Sequence, residues 1–195
     1  MADNSYHHGD LKNQLIKIGE KLLFKEGYDN FSLRKVARAA KVSHTAPYRH
    51  FKEKDELIIE IVNKWLIKFH NFVYRAIARY PDDLLSQLKN MGKRYILFLV
   101  KNPDFMHILF FSNIRSKFKD RIKSTHTYDL FTNCVAECKK HKLITADNLE
   151  AVTLMQWSYV HGLACLLAEK TIEPEGNLRD FVSKMIDAYI SVIKK

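Results

Sequence analysis

Ser32-Leu33-Arg34-Lys35-Val36-Ala37-Arg38-Ala39-Ala40-Lys41-Val42-Ser43-His44-Thr45-Ala46-Pro47-Tyr48-Arg49-His50-Phe51-Lys52-Glu53-Lys54 reads as two short helices around a tight turn. Ser32 stands where a side-chain oxygen can accept from the free amides of a helix start. Leu33, Val36, Ala37 and Ala40 then recur at the spacing of one helix face. Lys41-Val42-Ser43 makes a three-residue turn. Ser43 offers a cap for a second helix, His44 to about Phe51, with Pro47 in or just beyond its first turn, where a missing amide costs little. Seven cations (Arg34, Lys35, Arg38, Lys41, Arg49, Lys52 and Lys54) stand against the single acid Glu53. Two helices joined by such a turn make a helix-turn-helix. Its second helix must be slim enough to enter the major groove and present N-terminal residues to base edges, and Ala46 and Pro47 keep that surface low.

Outward from this segment the chain reads as all-α, with about nine helices and no strand pattern. A first helix runs from about Asp10 to Glu26, with Leu11, Leu15, Ile18 and Leu22 on one stripe and Gly27 as a left-handed C-cap. Beyond the charged link Lys52–Glu56, a long helix extends to about Arg79 and stops at Tyr80-Pro81-Asp82. Further helices are expected over Asp82–Val100, over Phe105–Ser112, up to about Lys142, from a cap at Thr145 or Asp147 to Lys170, and from Asn177 to Lys194. The domain boundary is expected near residue 60. Residues 1–60 would form a three-helix helix-turn-helix domain and 61–195 a helical ligand-binding and dimerisation domain.

Composition is consistent with this reading. Only 4 Pro and 6 Gly interrupt 195 residues, which favours long helices. A formal net charge of +10 points to a polyanionic partner without specifying a fold. The polar, acidic start Met-Ala-Asp-Asn-Ser-Tyr is unlike a signal peptide. The apolar stretch Tyr95–Phe111 is broken by Lys101, Asn102, Pro103 and Asp104, so it falls short of a bilayer span. A cytoplasmic protein with no membrane partner is the expectation, its Cys134, Cys138 and Cys165 reduced. No Gly-rich phosphate loop, H-E-x-x-H or G-x-S-x-G occurs, and Asp82 and Asp83 read as helix capping, so no enzyme and no cofactor is expected. A protein-interaction module that keeps the fold without reading DNA is the competing class. Steep salt dependence with a sequence preference on top would distinguish a DNA reader.

The segment Ser32–Lys54, above all Tyr48-Arg49-His50-Phe51 with the Lys54 that follows, resembles the DNA-binding domain of the TetR family of regulators over roughly residues 8–60. Tyr6-His7-His8-Gly9-Asp10-Leu11 resembles the start of one subgroup. Trp157-Ser158-Tyr159-Val160-His161-Gly162 resembles the Trp-x-x-x-His-Gly signature of that subgroup's C-terminal domain. Lys41 departs from the Gly that the family often has in the turn, and at positive φ it would carry strain of order 1 kcal/mol. The resemblance implies that Thr45, Ala46, Pro47 and Arg49 face bases or the groove, with His44 beside them. It implies that Tyr48, His50 and Lys54 contact phosphates, that Ser32 and Ser43 cap helices and touch phosphate, and that Arg34 reaches DNA from the preceding helix. Leu33, Val36, Ala37, Val42 and Phe51 read as core, and Lys12, Lys17 and Lys21 as a solvated face.

The C-terminal part is rich in aromatic and soft side chains. Phe105, Met106, Phe110, Tyr128, Phe131 and Trp157 are candidates to line a small-molecule site, with His107, Cys134, Cys138, Ser158 and His161 as polar groups. The same stripe also reads as ordinary core. His161 reads equally as a bundle hydrogen bond, with Gly162 admitting a close helix neighbour. Cys134, Cys138 and His141 share a helix face without an evident fourth ligand, so no metal is expected. The helix around Met155–Leu167 is apolar nearly all round, and the last helix carries a wide stripe from Leu178 to Ile193. Both need more cover than one layer supplies, so a homodimer through the last two helices is expected. This would place two readers on a near-palindromic operator, released when a small molecule binds; the sign of regulation, repression, is what the resemblance implies.

Overall fold

The structure is a computed structural model that describes residues 8–122, 126–145 and 147–194, with backbone only for 8–10. Nine α-helices lie among the described residues: α1 His8–Asn30, α2 Leu33–Ala39, α3 Lys54–Arg79, α4 Leu84–Lys101, α5 Pro103–Met106, α6 Ile114–Lys117, α7 Thr127–Lys140, α8 Leu149–Ala168 and α9 Leu178–Ile193. A 3₁₀ turn occupies Ala46–Arg49 and a π turn His107–Phe111. Among the described residues the one β feature is an isolated antiparallel bridge between Ile144 and Lys194. The all-α class expected from the sequence is observed.

The chain divides into two compact units. Residues 8–65 and 104–122 form one, and 66–103 with 126–194 form the other. The division falls inside α3, between Trp65 and Leu66, and the segment 104–122 belongs with the N-terminal helices.

In the N-terminal unit, α1 buries Leu11, Leu15, Ile16 and Leu23, so its inner face is rotated from the expected stripe, and Ile18 and Leu22 are half-buried. The rotation follows from Gly19, where a Cβ would come within 3.1 Å of Leu57 and 3.2 Å of Ile61, which lets α1 and α3 approach closely. Leu57, Ile58, Ile61 and Val62 of α3, with Phe31, Val36, Ala37 and Phe51, complete this core. Gly27 kinks α1 at φ 74°, ψ 176°, a region open essentially to glycine alone and different from the left-handed cap expected there. Phe105 is buried and stacks on Trp65 with centroids 5.4 Å apart.

In the C-terminal unit, α4 packs against α7, α8 and α9. Gly92 makes this possible, because a Cβ there would meet Ile186 Cδ1 at 3.0 Å and Val160 Cγ1 at 3.3 Å. Beyond its chain neighbours and its own helix backbone, no described atom lies within 4 Å of where the Gly162 Cβ would be, so it is not the close-approach glycine the sequence suggested. Asn148, not Thr145 or Asp147, caps α8 by accepting from Ala151 N at 3.0 Å. Thr145 instead bonds the Ile193 carbonyl through its N–H (2.8 Å) and hydroxyl (3.1 Å). Asn177 caps α9 as expected, accepting from Arg179 N at 2.8 Å.

Three helices share one C-terminal device. Lys41, Lys142 and Lys170 follow α2, α7 and α8 at φ 56°, 56° and 55°. In each, the lysine N–H bonds back to one carbonyl and the next residue's N–H to the carbonyl one residue earlier: Lys41 to Arg38 and Val42 to Ala37, Lys142 to Lys139 and Leu143 to Cys138, Lys170 to Leu167 and Thr171 to Leu166. This is the Schellman pattern, usually built on Gly. A lysine there carries the left-handed strain but places a cation at the negative end of the helix dipole.

Candidate nucleic-acid interface and C-terminal site

The reader is held from below and open above. Ser32 Oγ accepts from Lys35 N at 3.2 Å and starts α2. The Schellman turn at Lys41 then redirects the chain, leaving Val42 half-buried. The second helix is shorter than expected: the 3₁₀ turn Ala46–Arg49 replaces a helix from His44 to Phe51. Its N-cap is Thr45, without a side-chain bond to the turn, and Ser43 Oγ lies 3.2 Å from Thr45 Oγ1. Pro47 accounts for the shortening. It donates nothing, while its carbonyl receives both His50 N (3.0 Å) and Phe51 N (2.9 Å).

Pro47 is buried and Phe51 is 2% exposed, so these two anchor the turn and Pro47 does not present itself to a groove. Ser43, His44, Thr45 and Arg49 are exposed, Tyr48 is 51% exposed, and Ala46 is half-buried. Arg34 and Arg38 are exposed on α2. Among the described residues, the side chains of Arg34, Arg38, His44, Tyr48 and Arg49 make no hydrogen bond or ion pair. They are charged or polar groups left to solvent on one short segment, as phosphate and base contacts require. His50 is half-buried with its ring 6.4 Å from that of Phe51.

Lys54 is differently placed. Its ammonium donates to the Tyr28 carbonyl at 3.1 Å and lies 4.3 Å over the Tyr28 ring. Lys12, read as part of a solvated face, pairs with Glu60 at 2.9 Å and stays partly exposed, whereas Lys17 and Lys21 are exposed. The subgroup start at Tyr6 and His7 lies outside the described residues.

The C-terminal candidates separate into two groups. Phe105 and Met106 are core residues of the N-terminal unit, and Phe110 belongs to that unit on the π turn. Tyr128, Phe131, Cys134, Trp157, Ser158 and His161 belong to the other unit. Cys134 and Cys138 are buried, and both thiols donate toward the Leu84 carbonyl, at 3.7 and 3.6 Å. The neighbouring Cys138, followed by burial, pushes the Cys134 thiol up, so it stays protonated. His141 is exposed beside Glu137 at 3.6 Å. Among the described residues, no three His, Cys, Asp or Glu side chains gather as a metal site would require.

The α4–α8 contact holds a chain of hydrogen bonds. Trp157 Nε1–H donates to Tyr95 Oη at 3.2 Å, and Tyr95 Oη shares a hydrogen bond with His161 Nδ1 at 2.9 Å. The opposite nitrogen of the imidazole is Nε2. That nitrogen faces Cys165 Sγ at 3.6 Å. Burial pushes His161 below its ordinary value of 6.5. Tyr128 completes the cluster, its ring edge-on to Trp157 at 5.4 Å and 49% exposed, while Ser158 is exposed. The sequence marks Tyr95 only as the start of an apolar stretch and does not single out Gln156. Gln156 is 2% exposed, and among the described residues its Nε2 has no hydrogen-bond partner. Period alone cannot mark such a residue, because a buried Gln on an apolar face looks like a surface Gln until its neighbours are known.

α8 divides its apolar residues between two faces. Thr153, Gln156, Val160, Leu163, Ala164 and Leu167 are buried, while Leu154 (53%), Met155 (63%) and Leu166 (42%) are exposed. Among the described residues it is also the one helix long and apolar enough to cross a membrane, a distinction that sequence reasoning had considered only for Tyr95–Phe111. In this structure it packs on α4 and α7. Tyr159 of α8 stacks on Tyr189 of α9 at 4.5 Å. The Tyr189 hydroxyl is buried with no hydrogen-bond partner among the described residues, and burial, followed by the nearby Tyr159, pushes it up to about 12.

Comparison with known proteins agrees with this architecture. Residues 15–61 match the model of bacterial regulatory proteins of the tetR family, and residues 88–189 that of the tetracyclin repressor-like C-terminal domain. The chain is 23% identical to the HTH-type transcriptional regulator AcrR of Shigella flexneri over 199 residues, covering 93% of this chain and 90% of that protein. A Rhodococcus sp. RHA1 protein of unknown function shares the fold with a TM-score of 0.81 at 22% identity, covering 99% of this chain and 100% of that one. A TetR family transcription regulator from Marinobacter aquaeolei VT8 does so at 0.69 and 14% identity, covering 94% and 95%. Matched in its DNA-reading segment and across its C-terminal helices, the chain belongs to the TetR family: it is a DNA-binding regulator of transcription.

Proposed function

We propose that the chain acts as a homodimeric repressor that reads a near-palindromic operator with residues 43–50 and releases it when a small molecule binds in the C-terminal domain. The observation that carries this reading is the pairing of buried anchors with unpartnered tips: Pro47 and Phe51 hold the 3₁₀ turn, and Tyr48 and Arg49 on it are exposed. Ser32, Arg34, Ser43, His44, Thr45, Ala46, His50 and Lys54 are the remaining proposed contacts. Residues 1–60 serve as the reading domain and 61–195 as the sensing and pairing domain. The cell interior, where operators lie, is the site of action, and catalysis plays no part.

The dimer reading is supported by Leu154, Met155 and Leu166 on α8 and by Val192 (80% exposed) on α9. A second copy related by a two-fold axis would cover them with the same surface. The effector reading is supported by Tyr128, Trp157, Ser158 and His161, where an exposed aromatic edge adjoins a polar relay, with Phe131 and Cys134 on the same helix as Tyr128. Phe105, Met106 and Phe110 are proposed to act with α3, whose residues belong to both units.

A gel-shift and footprinting assay on the DNA upstream of the chain's own gene tests the reading. Tyr48→Ala is expected to weaken binding to all sequences, and Arg49→Ala also to relax sequence choice, by roughly 1–3 kcal/mol at the base it reads. Unchanged operator affinity in both variants would refute it. Light scattering that finds a monomer at micromolar concentration would remove the dimer.

A further inference from the structure

α3 and α4 bring together three arginines with no acid among them. Arg94 of α4 is half-buried; one guanidinium N–H donates to the Phe72 carbonyl at 3.1 Å, and the group lies 5.0 Å over the Phe72 ring. Arg75 and Arg79 stand four residues apart on α3, so they share a helix face, and both are exposed. Arg79 lies 5.9 Å over the Tyr80 ring. Among the described residues none of the three forms an ion pair. The contrast lies on the same helix, where Lys89 and Lys93 both pair with Asp187, at 2.9 and 3.6 Å. Asp83 is committed to the α4 start through Ser86 N (3.0 Å) and Oγ (2.6 Å). Phe72, Arg75 and Arg79 recur at i, i+3 and i+7 on one face of α3, so the Arg94 guanidinium held at Phe72 lies on the face that carries both other arginines; burial and their charges lower its proton affinity.

We propose that Arg75, Arg79 and Arg94 form a binding site for the phosphate group of a small phosphorylated ligand. Arg94 is held by the Phe72 carbonyl and ring, so its remaining N–H donors are fixed in direction before any ligand arrives. Guanidinium forks match phosphate oxygens two at a time, which an ammonium does not. A phosphate carries close to two negative charges and three acceptor oxygens at neutral pH, whereas a single carboxylate would leave most of the cluster uncompensated. None of the three arginines is a member of the Trp157–Tyr95–His161 relay, which lies between α4 and α8.

Inorganic pyrophosphate, titrated into the full-length protein by calorimetry at constant ionic strength, tests this. Saturable binding and a raised melting temperature are expected, with sodium chloride at equal ionic strength giving neither. Arg94→Lys, which keeps the charge and loses the fork, should weaken binding about tenfold. Arg75→Gln/Arg79→Gln, two exposed positions whose loss spares the core, should abolish it, and Arg49→Ala on the reading turn should leave it unchanged. Binding retained in the double variant, or lost in Arg49→Ala, overturns the proposal. So does a double variant that loses DNA affinity with a shallower salt dependence while still binding pyrophosphate, because the arginines would then serve the DNA backbone.

Discussion

Tyr28 donates its hydroxyl to Asp55 Oδ1 at 2.8 Å and accepts from Lys117 Nζ, so three segments distant in sequence meet at one phenol oxygen. The ring carries two cations, Lys54 and Lys117, each 4.3 Å from its centroid, and packs near Phe118 at 6.0 Å. Arg121, pairing with Glu53 at 3.3 Å, extends the same contact. The segment 104–122 is thereby tied to the ends of α1 and α3. Tyr28→Phe is expected to cost about 1–2 kcal/mol, since it removes the hydroxyl donor of the 17%-exposed Asp55 side chain and leaves it the Lys117 ammonium at 3.8 Å, and Tyr28→Ala more, because the ring under both ammonium groups is lost as well. Urea unfolding measures both; equal stability of wild type and Tyr28→Phe would show the bond to be idle.

The Schellman lysines predict a stabilising series. Lys41→Gly, Lys142→Gly and Lys170→Gly each relieve a left-handed lysine and should each raise stability by up to about 1 kcal/mol, offset in part by the lost cation at the helix end. The three sites are far apart in sequence, and their effects should add. Thermal unfolding of the singles and the triple checks this, and a destabilised Lys142→Gly would count against it.

Two glycines with opposite surroundings give a paired test. Gly92→Ala drives a methyl against Ile186 and Val160, and overpacking of about 1–3 kcal/mol outweighs the helix propensity gained. Gly162→Ala meets nothing in its own chain and should gain close to 1 kcal/mol as a monomer. If α8 pairs with its copy at that position, the same change weakens the dimer. Chemical denaturation at two protein concentrations separates the two effects.

His161 predicts an acid-sensitive term. Its folded-state proton affinity is lowered from 6.5, so below that pH the unfolded chain binds a proton that the folded one resists. Stability should fall as pH drops from about 6.5 toward the depressed value, with a slope of at most about 1.4 kcal/mol per unit, and should be unaffected by this group above it. Asp83 and Asp187, both held lower by hydrogen bonds and lysines, contribute losses only nearer pH 4 and below. His161→Gln should flatten the profile just below pH 6.5 and leave the more acidic limb in place. An unchanged profile in that variant would show that His161 does not titrate there.

Legibility differed between local and distant features. Ser32 and Asn177 were identifiable as caps because capping depends on residues two or three positions away. The strained turn at Lys41 was visible for the same reason. Gly162 was misjudged because helix period marks which residues share a face but not what lies opposite, and Gly92 proved to be the close contact. Lys54, a phosphate contact by resemblance, has its ammonium on Tyr28, twenty-six residues earlier.

The order of hydrophobic and basic residues determined by itself that this chain is helical and carries a helix-turn-helix near its start, because helix period, caps and turns are short-range and leave their marks within a few residues. Tertiary structure decided which side chains those helices consume and which they leave exposed. It buried Pro47, opened Tyr48 and Arg49, joined Trp157, Tyr95 and His161, drew residues 104–122 into the N-terminal unit and, among the described residues, left Arg75, Arg79 and Arg94 without an ion pair. The reason is physical: burial, proton placement and charge compensation depend on neighbours brought together only when the helices pack.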